Sequence, residues 1–319
     1  MTGLPLPAIQ AGQVLTVGLG APLVSGAIAT VEARLQGRRG PRVLQPFYDL
    51  HKMFGKESLA PTGSGVLFLA APVIAIACYL SVPLLIPVLT TYPLPLATMG
   101  DILGGGFLLS FASFLVAVAA TETGDPYAQL GASRAKTFGA ITEPVLLMVF
   151  FTVAAITATD LPYALGETVR SGPAQVVRPA HLLATGALLM VILYETARIP
   201  IETHTGTNEL GMIETARPFE HSGPYLALLH WGSMIKQLVL FTILLNIFAA
   251  PWGMASGTHP LAVAGAAGAL IGKSLVLGVL IAGLDNAFAK LRLFKITEFA
   301  AAAFLLAIFA VCTLFLGGG

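Results

Sequence analysis

The chain has 319 residues, of which 56% are hydrophobic and only 10% charged, and its mean hydropathy is +0.83. These values lie far outside the range of soluble globular proteins, so the sequence predicts an integral membrane protein. Seventeen basic and sixteen acidic residues give a net charge of +1, which argues against a nucleic-acid partner. Cys78 and Cys312 lie far apart in apolar segments, and this spacing predicts no zinc, iron-sulfur or nickel site in this chain.

Apolar segments of membrane-spanning length recur along the whole chain. A bilayer core of about 30 Å needs roughly 20 helical residues. Eight segments meet this length, and they cover residues 11–31, 66–90, 101–121, 140–159, 181–199, 225–249, 261–284 and 298–316. We therefore predict an all-α integral membrane protein with eight transmembrane helices, forming a single membrane domain over residues 1–319.

The basic residues mark one side of the membrane. Thirteen of the 17 follow spans one, three, five and seven, whereas the opposite loops hold only Arg170 and Arg178. By the positive-inside rule the basic loops are cytoplasmic, and both termini lie outside the cytoplasm. The predicted cytoplasmic loops cover residues 32–65, 122–139, 200–224 and 285–297.

The first cytoplasmic loop contains a short amphipathic segment. PFYDLHKMFGKES places Phe47, Leu50 and Phe54 at helical spacing, with the charged residues elsewhere. This pattern predicts a short helix lying in the membrane interface. An ordinary connector is the alternative interpretation.

Five charged side chains fall within or at the ends of the apolar spans. They are Glu143, Glu195, Lys236, Lys273 and Asp285. An ionised side chain at a helix centre costs about 2.5–3.5 kcal/mol, so each should have a partner or a function. We interpret Glu143 and Glu195 as a proton relay. The alternative is a structural ion pair with Lys236, Lys273 or Arg198. For Lys236, we expect an ammonium that extends toward the inner interface.

The segment after span five is unusually acidic. Its five glutamates are Glu195, Glu202, Glu209, Glu214 and Glu220. Pro200 and Gly206 interrupt the helix, and apolar residues separate the acids. This pattern predicts a folded docking surface, with a merely solvated loop as the alternative.

Three of these loops together resemble the membrane subunit, often called subunit 1, that links the two arms of respiratory NADH:quinone oxidoreductase and its membrane-bound hydrogenase relatives. Residues 31–58 resemble the first loop of that family. ETARIPIETHTGTNEL, from Glu195, resembles its acidic run, and EHSG, from Glu220, its Glu-Tyr-Ser-Gly. Glu143 falls where the family places a fourth-span carboxylate.

The resemblance also indicates a branch of the family. Quinone-reducing members usually carry Glu at the positions of Thr205 and Thr207. The longer spacing before Glu220 and the sequence DNAFAKLRLFK, from Asp285, resemble the nickel-iron hydrogenase and formate hydrogenlyase branch. The chain departs from that branch with Asp285 for the usual Glu and His221 for the usual Tyr.

The resemblance implies a membrane anchor that couples electron transfer in a soluble nickel-iron and iron-sulfur arm to proton or sodium movement. The expected partners are hydrogenase-like large and small subunits, antiporter-like membrane subunits and the lipid bilayer, in the inner membrane of a prokaryote, and the cofactors belong to the partners. The predicted ion-coupling residues are Glu143, Glu195, Glu202, Glu209, Glu220, Asp285, Lys236 and Lys273. The predicted arm-docking residues are Arg34, Arg38, Arg39, Arg42, Asp49, Lys52, Arg198, Glu214 and Arg292.

Two other functions are compatible with the pattern. One is a quinone-site subunit of an NADH:quinone oxidoreductase type enzyme, where the same loops would line a quinone chamber. The other is a stand-alone secondary transporter, since intramembrane charges and broken helices also suit that class.

Overall fold

A computed structural model describes residues 3–172, 178–197, 216–287 and 293–316, with side chains described from residue 296 in the last range. Within these ranges the regular structure is helical, apart from one isolated bridge between Thr90 and Ala255. The helices are α1 (Leu6–Leu35), α2 (Gln45–Phe54), α3 (Val66–Leu85), α4 (Ile102–Thr121), α5 (Pro126–Thr157), α6 (Pro162–Ser171), α7 (Pro179–Glu195), α8 (Gly223–Ile243), α9 (Pro260–Ala287) and α10 (Leu293–Leu316). A short 3₁₀ turn, Ala97–Met99, precedes α4.

Seven of the described helices are long and apolar enough to cross a membrane. They are α1, α3, α4, α5, α8 with its extension to residue 249, α9 and α10. The predicted span 181–199 corresponds to α7, an apolar helix of only 17 residues. Such a helix is about 26 Å long, shorter than a typical bilayer core. The protein is therefore an all-helical membrane protein, and the count of eight spans stays a prediction.

Proline and aspartate set several helix boundaries. α3 ends at Leu85 rather than at residue 90, because Ile86 precedes Pro87 and adopts an extended conformation with ψ of 156°. α5 begins at Pro126, where Asp125 caps the helix by accepting from the Ala128 N–H at 2.6 Å. As a result, most of the predicted loop 122–139 is helical.

The short helices outside the long spans confirm one prediction and add an element. The amphipathic segment of the first loop forms α2, which buries Leu50 and packs against α1 and α8. Its position in a membrane interface stays a prediction. The segment 160–179, expected to be a connector, contains the helix α6.

The central helix of the described structure is α8. It packs against α1, α2, α3 and α9, and 78% of its apolar window is buried. After Ile243 it continues as a π-helix over Leu244–Ala249 and stops before Pro251. By contrast, only 28% of the apolar stretch of α9 and 22% of that of α10 are buried. These two helices therefore lie at the outside of the bundle.

Candidate functional site: a buried ion pair between two cavities

The C-terminal end of α7 and the middle of α8 bring a carboxylate and an ammonium together. The Lys236 ammonium pairs with the carboxylate of Glu195, the last residue of α7. It also donates to Ser113 Oγ on α4 at 2.8 Å. Lys236 is only 6% exposed. The side chain therefore lies inside the helix bundle beside its counterion, and the expectation that it extends to the interface is wrong.

A second cation reaches the same place from the segment that precedes α8. Arg217 is 6% exposed, and its Nη1 donates to the backbone carbonyl of Ser113 at 3.4 Å. The hydroxyls of Tyr79 and Ser113 are also 3.4 Å apart. Ser113 thus contacts residues from α3, α8 and the segment before α8, and it forms the junction of this polar cluster.

A cavity of about 260 Å³ joins the two predicted relay carboxylates. Glu143, Glu195, Ser113 and Arg217 all line it. Within α5, a Cβ at Gly139 would lie 3.4 Å from Glu143 Oε1, so the glycine leaves room for the carboxylate beside the helix. The structure therefore brings Glu143 and Glu195 to one cavity, and Glu195 forms the ion pair with Lys236 that was the alternative to a relay. The relay itself stays a prediction.

A proline follows Glu143 directly inside α5. Pro144 lies inside α5 and has no N–H to donate, so the carbonyl of Ala140 loses its helical partner. Ala140 lines the smaller cavity, next to Glu143 along the helix. The two carboxylates of its lining make this cavity suitable for water or a cation.

A larger cavity of about 630 Å³ lies on the other side of the ion pair. Glu195, Arg217 and Lys236 line it together with Glu32 and His230, and the remaining lining is largely apolar. Glu195 and Arg217 border both cavities. A change in the position or charge of either residue therefore affects both cavities.

Residues 221–223 attach the Arg217 segment to the start of α3. The His221 ring stacks on Phe68 with centroids 3.9 Å apart, and its Nε2 donates to the Phe68 carbonyl at 3.2 Å. On the other side of the same residue, the Phe68 N–H donates to Glu122 Oε2 at 3.0 Å. Burial lowers the pKa of His221, and the bond to the carbonyl opposes this shift in part. His221 is therefore held as the neutral imidazole near pH 7.

The next two residues attach the same segment to the first loop, between α1 and α3. Ser222 Oγ donates to the Leu59 carbonyl at 2.9 Å and accepts from the Leu59 N–H at 2.6 Å. Gly223 has φ of +54°, and a Cβ there would lie 2.5 Å from the Glu57 carbonyl oxygen. Only glycine fits both the left-handed backbone and this close approach. The first loop and the Arg217 segment are thus physically connected.

Lys273 lies in a different environment from Lys236. Its ammonium donates to Asn246 Oδ1 at 2.6 Å and to the carbonyls of Ala250 and Trp252 at 3.0 and 2.9 Å. Asn246 belongs to the π-helix, ten residues and so about 15 Å along the helix from Lys236. These contacts do not bring Lys273 to Glu143 or Glu195, the partners considered for it.

The remaining predicted residues fall into three groups. Glu220 and Asp285 are partly buried, outside the cluster around Glu195. The first-loop docking residues are all exposed at the end of α1 and on or near α2: Arg34, Arg38, Arg39, Arg42, Asp49 and Lys52. Five predicted residues lie outside the described part of the chain, namely Arg198, Glu202, Glu209, Glu214 and Arg292.

Sequence reasoning did not identify Ser113, Tyr79 or the site role of Arg217. A buried lysine requires acceptors, and this was the available signal for an additional polar partner. In the described ranges, no group of three or more His, Cys, Asp or Glu side chains is placed to hold a metal ion.

Comparisons with known proteins agree with the observed fold. The model of the family described as NADH dehydrogenase matches residues 9–316. The chain is 32% identical to formate hydrogenlyase subunit 4 of Escherichia coli (strain K12), over 90% of this chain and 91% of that protein. It is also 32% identical to hydrogenase-4 component C of the same organism, over 73% of this chain and 72% of that protein.

A solved structure shows the same fold at lower sequence identity. It is the membrane-bound sulfane sulfur reductase, an archaeal respiratory membrane complex, one chain of which aligns with a TM-score of 0.77 and 19% identity. The alignment covers 96% of this chain and 100% of that one. Because the family match spans nearly the whole chain and the formate hydrogenlyase relative is matched over most of its length, this chain belongs to the NADH dehydrogenase subunit 1-like family.

Proposed function

We propose that this chain is the membrane anchor and ion-coupling subunit of an energy-converting complex of the membrane-bound hydrogenase or formate hydrogenlyase type. It would link electron transfer in a soluble nickel-iron and iron-sulfur arm to proton or sodium movement. The observation that carries the proposal is the cavity shared by Glu143 and Glu195, with Lys236 paired to Glu195. The E. coli relatives named above support the choice of branch.

The coupling step would act through the charge of Glu195. Inside a helix bundle the effective dielectric constant is lower than in water, so a charge change at Glu195 acts strongly on Glu143 and Lys236. The same change alters a residue that borders both cavities. Proton uptake on one side and release on the other could then follow from one event at this residue.

The arm would act on Glu195 through the segment before α8. The exposed arginines of the first loop provide a basic surface for a partner, with Arg38 and Arg39 at its centre. That loop is hydrogen-bonded to Ser222, five residues after Arg217. A displacement at the docking surface would therefore move Arg217 relative to Ser113 and Glu195.

The test is ion movement by the whole complex in sealed vesicles. Electron transfer is driven by a reduced viologen dye, and ion movement is followed with a pH-sensitive dye and by sodium uptake. We expect Glu143→Gln and Glu195→Gln each to abolish ion movement while viologen-driven electron transfer continues. Glu167→Gln is the control, because Glu167 lies on α6 in an exposed pair with Arg170. Normal ion movement in both cavity variants would overturn the proposal.

A second function is favoured by the larger cavity. Its volume of about 630 Å³ and its largely apolar lining suit an amphiphilic ligand such as a quinone. Quinone-dependent turnover by the purified complex, together with photolabelling of Phe219 or Leu226 by a quinone analogue, would favour a quinone-site subunit. Photolabelling without quinone-dependent turnover would leave the hydrogenase-type function in place.

A further inference from the structure

Ser113 occupies a position that the proposed function does not yet use. It lies on α4 at the edge of the smaller cavity and contacts both cations that surround Glu195. We propose that Ser113 is a positioning residue that fixes the Lys236 ammonium beside Glu195 while the charge of Glu195 changes. This inference rests on the proposed function and names the residue that would keep its ion pair in place.

The chemistry of the groups fixes the direction of the hydrogen bonds. An ammonium can only donate, so Ser113 Oγ must accept from Lys236 at 2.8 Å. The proton of the Ser113 hydroxyl is then directed elsewhere, and the oxygen of Tyr79 lies 3.4 Å away. The backbone carbonyl of Ser113 independently accepts from Arg217. Ser113, on α4, thus contacts α3, α8 and the segment that contains Arg217.

The side chain and the backbone of Ser113 have separable roles. Truncation of the side chain removes the bond to Lys236 but leaves the carbonyl that accepts from Arg217. The described acceptors of the Lys236 ammonium are Glu195 and Ser113. Without the hydroxyl, Glu195 is the one hydrogen-bonding partner left to the ammonium among the described residues, and its charge is the quantity that would change during coupling.

The hydroxyl therefore matters most when Glu195 is neutral. In that state the attraction within the ion pair is lost, and a buried ammonium needs another acceptor. Ser113 supplies one at a fixed position on α4. The ammonium then stays where it can attract the carboxylate again when Glu195 returns to its ionised state.

The test compares three serine variants in the purified complex. Ser113→Ala removes the acceptor, Ser113→Thr keeps a hydroxyl, and the smaller cavity beside the residue has room for the added methyl group. Ser110→Ala is the matched control, because Ser110 lies one turn earlier on α4 and its buried Oγ has no hydrogen-bond partner among the described residues. The first readout is the infrared carboxylate band that Glu195→Gln removes. The second is the pH profile of ion movement in vesicles.

We expect Ser113→Ala to shift the Glu195 band, change the pH profile and slow ion movement by about tenfold, as expected for losing a hydrogen bond to a charged group. Ser113→Thr should restore the band and most of the rate, and Ser110→Ala should behave as the unmodified protein. An unshifted band in Ser113→Ala, or the same shift in Ser110→Ala, would overturn the positioning role. Normal ion movement in both Glu143→Gln and Glu195→Gln would instead overturn the proposed function, and the band would still decide whether Ser113 positions Lys236.

Discussion

Two lysines in the span region of this protein, Lys236 and Lys273, have opposite surroundings. Lys236 faces a carboxylate and a hydroxyl, whereas Lys273 faces one amide oxygen and two backbone carbonyls. A carboxylate can gain or lose a proton, but amide and carbonyl oxygens keep the same charge at every physiological pH. The comparison indicates that Lys236 has a partner whose charge can change during coupling, whereas the described partners of Lys273 keep a fixed charge and hold the π-helix in place.

The largest effect is expected from removing the charge of Lys236. Lys236→Met leaves the Glu195 carboxylate buried without its counterion, which should lower the free energy of unfolding by about 3–5 kcal/mol. Thermal unfolding of the detergent-solubilised complex, followed by intrinsic fluorescence, measures this loss. The double variant Lys236→Met/Glu195→Gln should recover part of the stability, because no unpaired charge remains.

The double variant shows whether the loss of stability in Lys236→Met comes from the unpaired carboxylate or from packing. If the double variant were no more stable than Lys236→Met alone, the loss would come from packing and not from an uncompensated carboxylate. In either case ion movement should be absent, because both variants remove the coupling pair.

Lys273→Met should give a smaller loss of stability and no loss of coupling. The ammonium makes three hydrogen bonds but is partly exposed, so we expect about 1–2 kcal/mol. Loss of these bonds should first loosen the π-helix at Asn246, which hydrogen exchange of residues 244–252 would detect. The number of ions moved per electron should stay unchanged. A fall in that ratio equal to that of Lys236→Met would remove the distinction between the two lysines.

From the sequence, an ion pair was the alternative to a proton relay, because charges in apolar spans need a partner or a function. Glu143, Glu195 and Lys236 were identified for that reason, and the structure brings all three to adjoining cavities. Ser113 could not be identified in this way, because a serine in an apolar helix gives no sign of the face on which it lies. Its role depends on how α4 is rotated against α8, and this rotation is set by packing of the whole bundle.

The hydrogen-bond partners of Lys273 could not be predicted from the sequence either. Its partners include carbonyls of residues 250 and 252, which are available because α8 changes to a π-helix and then ends before a proline. Backbone acceptors of this kind have no residue signature. The helix α6, in contrast, had a usable signal, since Pro162 stands at its first position and proline is favoured there.

The smallest effect is expected from protonation of His221, which lies just before the first residue of α8. Burial lowers the pKa of this imidazole in the folded protein, so the unfolded chain binds more protons below its ordinary pKa of about 6.5. The stability that His221 contributes is therefore complete above pH 6.5 and is lost as the pH falls through the lower folded pKa. Acidification should release residues 216–223 from α3 before it unfolds the bundle.

Hydrogen exchange measured at pH 7.5 and 5.5, corrected for the intrinsic rates, tests this release directly. We expect residues 216–223 to lose protection at the lower pH, because a protonated ring at His221 would be a buried charge stacked on Phe68. His221→Asn removes the titrating group, so its exchange should differ little between the two pH values. Equal pH sensitivity in this variant would mean that another group causes the effect. The contrast between Lys236 and Lys273 would then depend on the Glu195–Lys236 pair alone.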